Sequence, residues 1–330
     1  MTEIDPSYYT KGVLEQNKRI LAKTITLIES SHPDHRKLGR EIIESLLPHT
    51  GNSIRLGITG VPGAGKSTFI ESLGTLLVQK GHRIAVLAVD PSSTRSGGSV
   101  LADKTRMEKL SAEKNAFIRP SPSGGTLGGV AKKTRETMLV CEAAGFDVII
   151  IETVGVGQSE TTVASMVDFF LVVMIAGAGD ELQGIKKGII ELADMLVVNK
   201  ADGDNVARAQ QAQKEYETAL HLIQPTSPLW SPPVMTCSAI EMTGIDAVWN
   251  KILGHRDCMA QNGERELNRK KQAIDWMWTL IENGLKERFR ANKKISENLP
   301  QMLKDLEQGH IGPTAAADKL LFFLDNVEPL

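Results

Sequence analysis

Apolar and polar positions change their spacing twice along the chain. Over residues 11–47, apolar side chains recur every three or four positions, which predicts helices, with a break at Pro33. Over residues 54–253, short and almost entirely apolar runs alternate with segments of helical spacing. Helical spacing returns over residues 257–330 and includes one long stretch at 270–289. The pattern predicts a central part of strands and helices, with a helical part on either side.

Seven apolar runs in the central part are predicted to be strands, because each is short and lies between helical segments. They cover residues 54–60, 83–90, 116–120, 146–152, 168–176, 194–200 and 233–239. Most lack polar alternation, which is typical of strands buried on both faces of a parallel sheet. The predicted fold class is therefore α/β, with a mostly parallel, helix-covered sheet. Its predicted parts are an N-terminal helical extension at 1–53, a central domain at 54–256 and a C-terminal helical region at 257–330.

A phosphate-binding motif follows the first predicted strand. Residues 60–67 read GVPGAGKS, the complete GxxxxGK[ST] pattern of P-loop NTPases. Glycines in such a loop let successive backbone N–H groups face the phosphates, and the N-terminus of the next helix adds a positive dipole end. Lys66 is expected to bind the β- and γ-phosphates, and the Ser67 hydroxyl is expected to ligate Mg²⁺. The predicted nucleotide-binding residues of this loop are Gly60, Val61, Pro62, Gly63, Ala64, Gly65, Lys66, Ser67 and Thr68.

Carboxylates end two other predicted strands. Asp90 and Glu152 each close an apolar run, and ligands bind parallel sheets at the C-terminal ends of the strands. Both are expected at the magnesium ion or its water shell, because a carboxylate in such a place needs a cation. A helix cap or a solvated side chain is the alternative. Asp103, in the loop after Asp90, is a further metal candidate.

Residues 152–158, ETVGVGQ, resemble a nucleotide-dependent switch. Gly155 is expected to donate its N–H to the γ-phosphate and to change conformation on hydrolysis. Together with Lys66 and Glu152, it forms the predicted catalytic set. Gln158 is a candidate for orienting water, but a surface position explains it equally well.

A second motif predicts which purine is bound. Residues 199–202 read NKAD, the NKxD pattern of GTPases, and close a predicted strand. The Asp202 carboxylate can accept two hydrogen bonds from guanine but none from the corresponding positions of adenine, which would leave it unpaired. Residues 237–240 resemble the loop whose backbone N–H contacts the guanine oxygen. The predicted base-binding residues are Asn199, Lys200, Asp202, Ser238, Ala239 and Ile240, and Cys237 is expected to be a small buried residue.

Composition makes several other functions improbable. The net charge is −2, and Lys and Arg are dispersed, so nucleic-acid binding is not expected. The three cysteines are far apart, which argues against a disulfide framework and a cysteine zinc site. The first residues lack the apolar core of a signal peptide, and the run at 169–176 is too short for a bilayer. We expect a cytoplasmic protein without a membrane partner.

The chain resembles the methylmalonyl-CoA mutase-associated GTPases, a family once described as lysine/arginine/ornithine transport kinases. The resemblance is carried by residues 60–68, 88–107, 152–160, 176–188 and 199–202, and it extends to both helical flanks. It implies a P-loop GTPase of the branch that includes the signal-recognition-particle and nickel-insertion GTPases. By position, it implies magnesium roles for Ser67, Asp90, Asp103 and Glu152. It also implies a third mobile switch at 177–188, with Asp180, Gln183 and Lys186 responding to the nucleotide, although by pattern alone this is a glycine-rich loop entering a helix.

The same resemblance implies a partner. In this family, the GTPase binds an adenosylcobalamin-dependent methylmalonyl-CoA mutase, gates delivery of the cofactor and protects the mutase from inactivation. The resemblance also implies Mg²⁺ as the cofactor and a homodimer formed by the C-terminal helices. The apolar stripe at 270–289 would equally suit packing against the central domain.

Three alternative functions are less consistent with the sequence or are left open by it. A metal-insertion GTPase usually carries a His-rich or Cys-rich metal site, but the seven histidines here are not clustered in that way. A transport-associated kinase is disfavoured because no kinase catalytic-loop motif such as HRD is present. A nucleotide-binding module without hydrolysis remains open until turnover is measured.

Overall fold

A computed structural model describes residues 5–89, 107–120, 127–153, 159–177, 187–221 and 227–325. The strands are β1 Ile54–Gly60, β2 Ile84–Val89, β3 Ala116–Arg119, β4 Val148–Thr153, β5 Phe169–Ile175, β6 Met195–Asn199 and β7 Val234–Thr236. The helices are α1 Pro6–Leu14, α2 Lys18–Glu29, α3 Pro33–Leu46, α4 Lys66–Gln79, α5 Glu108–Ala112, α6 Leu127–Ala143, α7 Ser159–Ala164, α8 Lys187–Glu191, α9 Val206–His221, α10 Ile245–Gln261, α11 Glu264–Ala291, α12 Lys293–Glu307 and α13 Pro313–Asp325. Short 3₁₀ turns occur at Leu47–His49 and Gly203–Asn205.

Within these residues, the strands form one seven-stranded sheet in the order β3-β2-β4-β1-β5-β6-β7. Every neighbouring pair is parallel, so the predicted α/β class is confirmed. β1 lies between β4 and β5, and Ile58 of β1 is in register with Glu152 of β4. The loop that follows β1 therefore begins beside the strand that carries Glu152.

The described chain divides into two compact units, Met1–Arg269 and Lys270–Leu330. The division falls inside α11. Residue 257, where the C-terminal region was predicted to begin, lies within α10. The functional division at 1–53, 54–256 and 257–330 stays a prediction.

Two side chains join the N-terminal helix α2 to the edge strand β3. The Lys18 ammonium group in α2 donates a 3.0 Å hydrogen bond to the Ala116 carbonyl of β3. Arg119, at the other end of β3, pairs with Glu29 of α2 through an Nε–Oε1 hydrogen bond of 3.3 Å. These contacts attach α2 to this edge of the sheet, while the N-terminal helices also pack against α6.

Two arginine–carboxylate pairs lie at the N-terminal ends of the strands, opposite the phosphate loop. Arg55 of β1 forms two 2.9 Å hydrogen bonds with Glu142 of α6, whose side chain is 1% exposed. Arg269, in α11, holds the Asp168 carboxylate just before β5 through bonds of 2.7 and 2.6 Å. It also donates to the Gly51 and Ser53 carbonyls before β1. The first turns of α11 are thereby attached to the sheet.

The second unit consists of the rest of α11 with α12 and α13. Asn292 caps α12 by accepting a hydrogen bond from the Ile295 N–H, and its amide group donates to the Phe323 carbonyl of α13 at 3.1 Å. Several apolar side chains on this part of α11 are exposed; they are Ile274, Met277, Trp278, Ile281 and Leu285. They recur at helical spacing and form one stripe. Across the described helices, none combines the length and the apolar character needed to span a bilayer.

Candidate nucleotide-binding site

The phosphate loop has the backbone that its glycines predict. Gly65 is left-handed, with φ of 82°, and comes immediately before α4. A Cβ atom on Gly60 would lie 2.0 Å from the Val173 carbonyl oxygen, and one on Gly65 would lie 2.9 Å from the Asn199 amide nitrogen. These contacts leave no room for a side chain, which explains two of the motif's glycines.

Lys66 lies in the first turn of α4 and points back over this loop. Its Nζ donates hydrogen bonds to the Gly60 carbonyl at 2.8 Å and to the Val61 carbonyl at 3.3 Å. Burial lowers the pKa of Lys66, while the carboxylates of Glu152 and Glu160 oppose that shift. A triphosphate in the loop would compete with the two carbonyls for this ammonium group.

Two of the predicted magnesium ligands meet. The Ser67 hydroxyl donates a 3.0 Å hydrogen bond to Glu152 Oε1, so the two oxygens that were predicted from distant motifs lie together. A hydroxyl and a carboxylate are oxygen donors of the kind that Mg²⁺ prefers, and the residues present fit the ion. Among the described residues, no group of three His, Cys, Asp or Glu side chains could hold a metal by itself. The other candidates, Asp90, Asp103, Gly155, Gln158, Asp180, Gln183 and Lys186, lie outside the described residues.

Asn199 joins the phosphate loop to the predicted base-binding loop. Its side-chain amide donates to the Ala64 carbonyl at 2.8 Å, and its Oδ1 accepts a bond from the Ala239 N–H at 3.0 Å. The residue is only 1% exposed. Asn199 thus connects the phosphate loop to the segment that was predicted to contact guanine through a backbone N–H, and the Ala239 N–H of that segment donates to Asn199.

Asp202 lies beside the loop that contains Ser238. The Ser238 hydroxyl donates a hydrogen bond to the Asp202 carboxylate. The Ser238 Oγ atom also accepts a 3.1 Å hydrogen bond from the Glu241 N–H. Lys200 has a left-handed backbone, with φ of 61°, and an exposed side chain. Ile240 is 77% exposed. The NKxD segment and the 238–240 segment are therefore adjacent, as guanine recognition requires.

Cys237 is next to this loop but is unsuited to chemistry. It is buried, and burial together with the Asp202 charge raises its thiol pKa to about 12. The thiol is therefore protonated at neutral pH and is not a nucleophile. The expectation of a small buried residue agrees with this environment.

Two hydrogen bonds between distant elements were not predicted from the sequence. The Thr153 hydroxyl at the end of β4 donates to the Thr59 hydroxyl of β1 at 2.6 Å, and both residues are buried. The Ser72 hydroxyl of α4 donates to the Ala239 carbonyl at 2.6 Å. Serine and threonine in helices and strands are common, so the pattern gave no signal for either bond.

Comparison with known proteins agrees with this geometry. The model of the family described as methylmalonyl Co-A mutase-associated GTPase MeaB matches residues 21–294 of the chain. The chain belongs to this family. Because this is a family of P-loop GTPases, the fold, the motifs and the family membership together make the chain a GTPase.

Relatives with assigned names cover almost all of the chain. It is 56% identical over 305 residues to a "Putative GTPase" of Caulobacter vibrioides, with 92% of this chain and 93% of the relative covered. It is 46% identical to "GTPase ArgK" of Escherichia coli, with 94% of each covered. The "Methylmalonic aciduria type A homolog, mitochondrial" of Mus musculus is 45% identical, with 94% of this chain and 77% of that protein covered. A crystal structure described as LAO/AO transport system kinase superposes with a TM-score of 0.79 at 38% identity and covers 99% of both chains.

Proposed function

We propose that this GTPase hydrolyses GTP with Mg²⁺ and couples hydrolysis to chaperoning of an adenosylcobalamin-dependent methylmalonyl-CoA mutase. In this proposal it gates loading of the cofactor onto the mutase and protects the mutase from inactivation. The observation that carries the proposal is the match over residues 21–294 to a family described by its association with that mutase. A cytoplasmic location is part of the same proposal.

The phosphate end of the site supports hydrolysis. Lys66 lies over the phosphate loop and would bind phosphate oxygens, and the adjacent Ser67 and Glu152 oxygens would hold the magnesium ion. When bound, Mg²⁺ supplies positive charge that offsets the charge developing on the phosphate oxygens. Lys66 contributes a second positive charge, and the backbone N–H groups of the loop hold the phosphates in place.

The base end of the site supports selection of guanine. Asp202 is turned toward the 238–240 segment, where Ser238 fixes one of its oxygens. A carboxylate held in this way is preorganised to accept the two N–H groups of guanine. Adenine would leave it unpaired, which disfavours ATP.

The exposed stripe on α11 supports the proposed homodimer. Its members include Trp278, which is 57% exposed, and Leu285, which is 53% exposed. A continuous exposed apolar face of this kind is typical of a surface that pairs with another protein. A second copy of the chain carries the same stripe, so a two-fold interface could bury both.

A pull-down tests the mutase proposal. Tagged chain would be incubated with cell extract in GDP and in a non-hydrolysable GTP analogue, and a Lys66→Ala chain would serve as the control that cannot respond to nucleotide. We expect the wild-type chain to retain a cobalamin-dependent mutase in amounts that differ between the two nucleotides. Absence of any cobalamin enzyme in both nucleotide states would contradict the proposal.

The transport-associated kinase remains a second candidate, because the superposable crystal structure carries that description. Purified chain with γ-labelled GTP or ATP distinguishes the two. A kinase would move label onto a protein, whereas the proposed GTPase releases it as inorganic phosphate. A metal-insertion role gains no support from the described residues, which lack a three-residue metal cluster.

A further inference from the structure

Ser72 connects the phosphate half of the site to the base half. It lies on α4, the helix that begins with Lys66, and the residue is only 8% exposed. Its hydroxyl donates a 2.6 Å hydrogen bond to the Ala239 carbonyl. Ala239 itself is 3% exposed, so water has little access to this carbonyl.

Ala239 is held from both sides. Its carbonyl accepts a hydrogen bond from the Ser72 hydroxyl, and its N–H donates one to Asn199 Oδ1. The side-chain NH₂ group of Asn199 donates a further hydrogen bond to the Ala64 carbonyl. These bonds form a closed chain from the phosphate loop through the end of β6 to Ala239, and from Ala239 back to the phosphate-loop helix. The separation between the two halves is therefore fixed by side chains.

Removal of the Ser72 hydroxyl would break one side of this chain. The Ala239 carbonyl would be left buried without its donor, which is unfavourable, and the segment that follows Cys237 could shift to find another. Ser238 would move with it, and Ser238 holds the Asp202 carboxylate. The phosphate loop would keep its own bonds, since Lys66 and Asn199 contact it without Ser72.

We propose that Ser72 is a positioning residue for guanine recognition, which acts by fixing Ala239 and, through Ser238, the orientation of Asp202. The proposal rests on the proposed guanine site at Asp202. Ser72 would therefore take part in base selection, although it lies on a helix outside both the NKxD motif and the phosphate-loop motif.

Calorimetry with Mg²⁺ present tests the proposal on the full chain. The Ser72→Ala variant is expected to bind GDP about tenfold more weakly, the loss of roughly one buried hydrogen bond. Its affinity for tripolyphosphate, which has no base, is expected to stay within about twofold, because the phosphate loop is unchanged. Loss of GDP affinity alone is a result that general destabilisation would not give.

Thr75 provides the matched control on the same helix. Its hydroxyl oxygen is buried and has no hydrogen-bond partner among the described residues. Thr75→Val therefore removes a hydroxyl at similar volume without breaking a bond, and we expect GDP affinity within about twofold of wild type. The Ser72→Cys variant keeps the shape of serine with a weaker donor, so its GDP affinity should fall between Ser72→Ala and wild type. It also carries the test if Ser72→Ala does not fold.

Three outcomes would overturn the proposal: unchanged GDP affinity in Ser72→Ala, equal losses for GDP and tripolyphosphate, or an equal loss in Thr75→Val. Asp202→Asn, measured in parallel, separates this failure from failure of the guanine site. If Asp202→Asn leaves base preference unchanged, the guanine site itself is wrong. If base preference changes there while Ser72→Ala binds GDP normally, only the role of Ser72 is wrong.

Discussion

At the scale of single residues, the site depends on side chains that contact the backbone of another loop. Asn199 is the main example, because its amide holds one carbonyl of the phosphate loop while its oxygen holds the Ala239 N–H. Asn199 thereby joins the two loops that are proposed to bind the two halves of the nucleotide. We expect Lys66 to contact the phosphates directly and Asp202 to contact the base directly.

Lys66→Ala is expected to weaken GTP binding by at least about tenfold and to abolish measurable turnover, since a charged partner of the phosphates is lost. Binding would be measured by calorimetry and turnover by phosphate release. Lys80→Ala is the control, because Lys80 follows the far end of α4 and pairs with Asp246. Normal hydrolysis in Lys66→Ala would contradict the assigned phosphate site.

Asp202→Asn is expected to weaken GTP binding and to favour xanthosine triphosphate, because the amide presents a donor where guanine also has a donor. Competition between the two nucleotides measures the change. A variant with unchanged base preference would show that another residue selects the purine.

The pKa shifts of Asp194 and His255 predict how the free energy of unfolding varies with pH. Burial raises the pKa of Asp194 to about 7, although the Phe170 N–H opposes the shift, and burial lowers the pKa of His255 to about 4. Between pH 4 and 6.5 the folded state keeps the Asp194 proton that the unfolded state has lost, so this group lowers stability as pH rises. His255 acts in the opposite sense, because the unfolded state holds its proton over that window. The two contributions should largely cancel in the wild-type chain.

Asp194→Asn should therefore make stability rise more steeply from pH 4 to 6.5, since only the His255 contribution remains. Urea denaturation at several pH values measures the slope, and His255→Gln should show the reverse change. A slope in Asp194→Asn that matches the wild type would show that Asp194 does not titrate in this window.

At the scale of elements, long-range ion pairs fix how helices attach to the sheet. Arg55 of β1 meets the buried Glu142 of α6, and burial alone would raise the pKa of Glu142. The hydrogen bonds and charge of Arg55, with bonds from Ser53 and the Gly51 N–H, instead hold that pKa below its ordinary value. The carboxylate is therefore ionised and depends on its partner.

Arg55→Met should cost about 3–5 kcal/mol in the free energy of unfolding, because it leaves a buried charge without its partner. Arg55→Met combined with Glu142→Leu should recover much of this loss. The surface pair Lys11–Glu15 is the control, and Lys11→Met should change stability by less than about 1 kcal/mol. Denaturant unfolding that gave similar losses for both single variants would contradict this account.

The elements themselves were largely predictable, since periodicity reports burial directly. All seven predicted runs contain strands, although the run at 233–239 yields only Val234–Thr236. The predicted break at Pro33 is confirmed, since α2 ends at Glu29 and Pro33 begins α3, where proline suits the first turn. The pairs Ser67–Glu152 and Asn199–Ala64 differ in predictability. The contact between Ser67 and Glu152 follows from two motifs at the ends of adjacent strands. The contact between Asn199 and Ala64 cannot be predicted without the tertiary fold, and the same holds for the hydrogen bonds of Ser72 and Arg269.

At the scale of the whole molecule, exposed apolar side chains indicate association. The stripe on α11 belongs to the second unit, while the nucleotide site belongs to the first. The stripe and the predicted nucleotide site share no residue. Dimerisation and nucleotide binding should be separable by mutation.

Trp278→Glu is expected to convert a dimer into a monomer while leaving GTP affinity within about twofold, because a charge cannot be buried in an apolar interface. Sedimentation at several concentrations measures the mass. Lys286→Glu, at an exposed polar position on the same helix, is the control and should stay dimeric. A wild-type chain that is monomeric at all concentrations would contradict the homodimer.

The bonds from α2 to β3 have a further consequence for anyone who shortens this protein. Deleting the first thirty residues would remove no phosphate-loop or NKxD side chain, so the truncated chain would keep every predicted nucleotide-binding residue. It would nevertheless remove the contacts of Lys18 and Glu29 with β3 and expose the surface of α6 on which α2 packs. Newly exposed apolar surface of this kind favours aggregation. We therefore expect the truncated chain to lose solubility and precipitate, although the residues proposed for GTP hydrolysis are all retained.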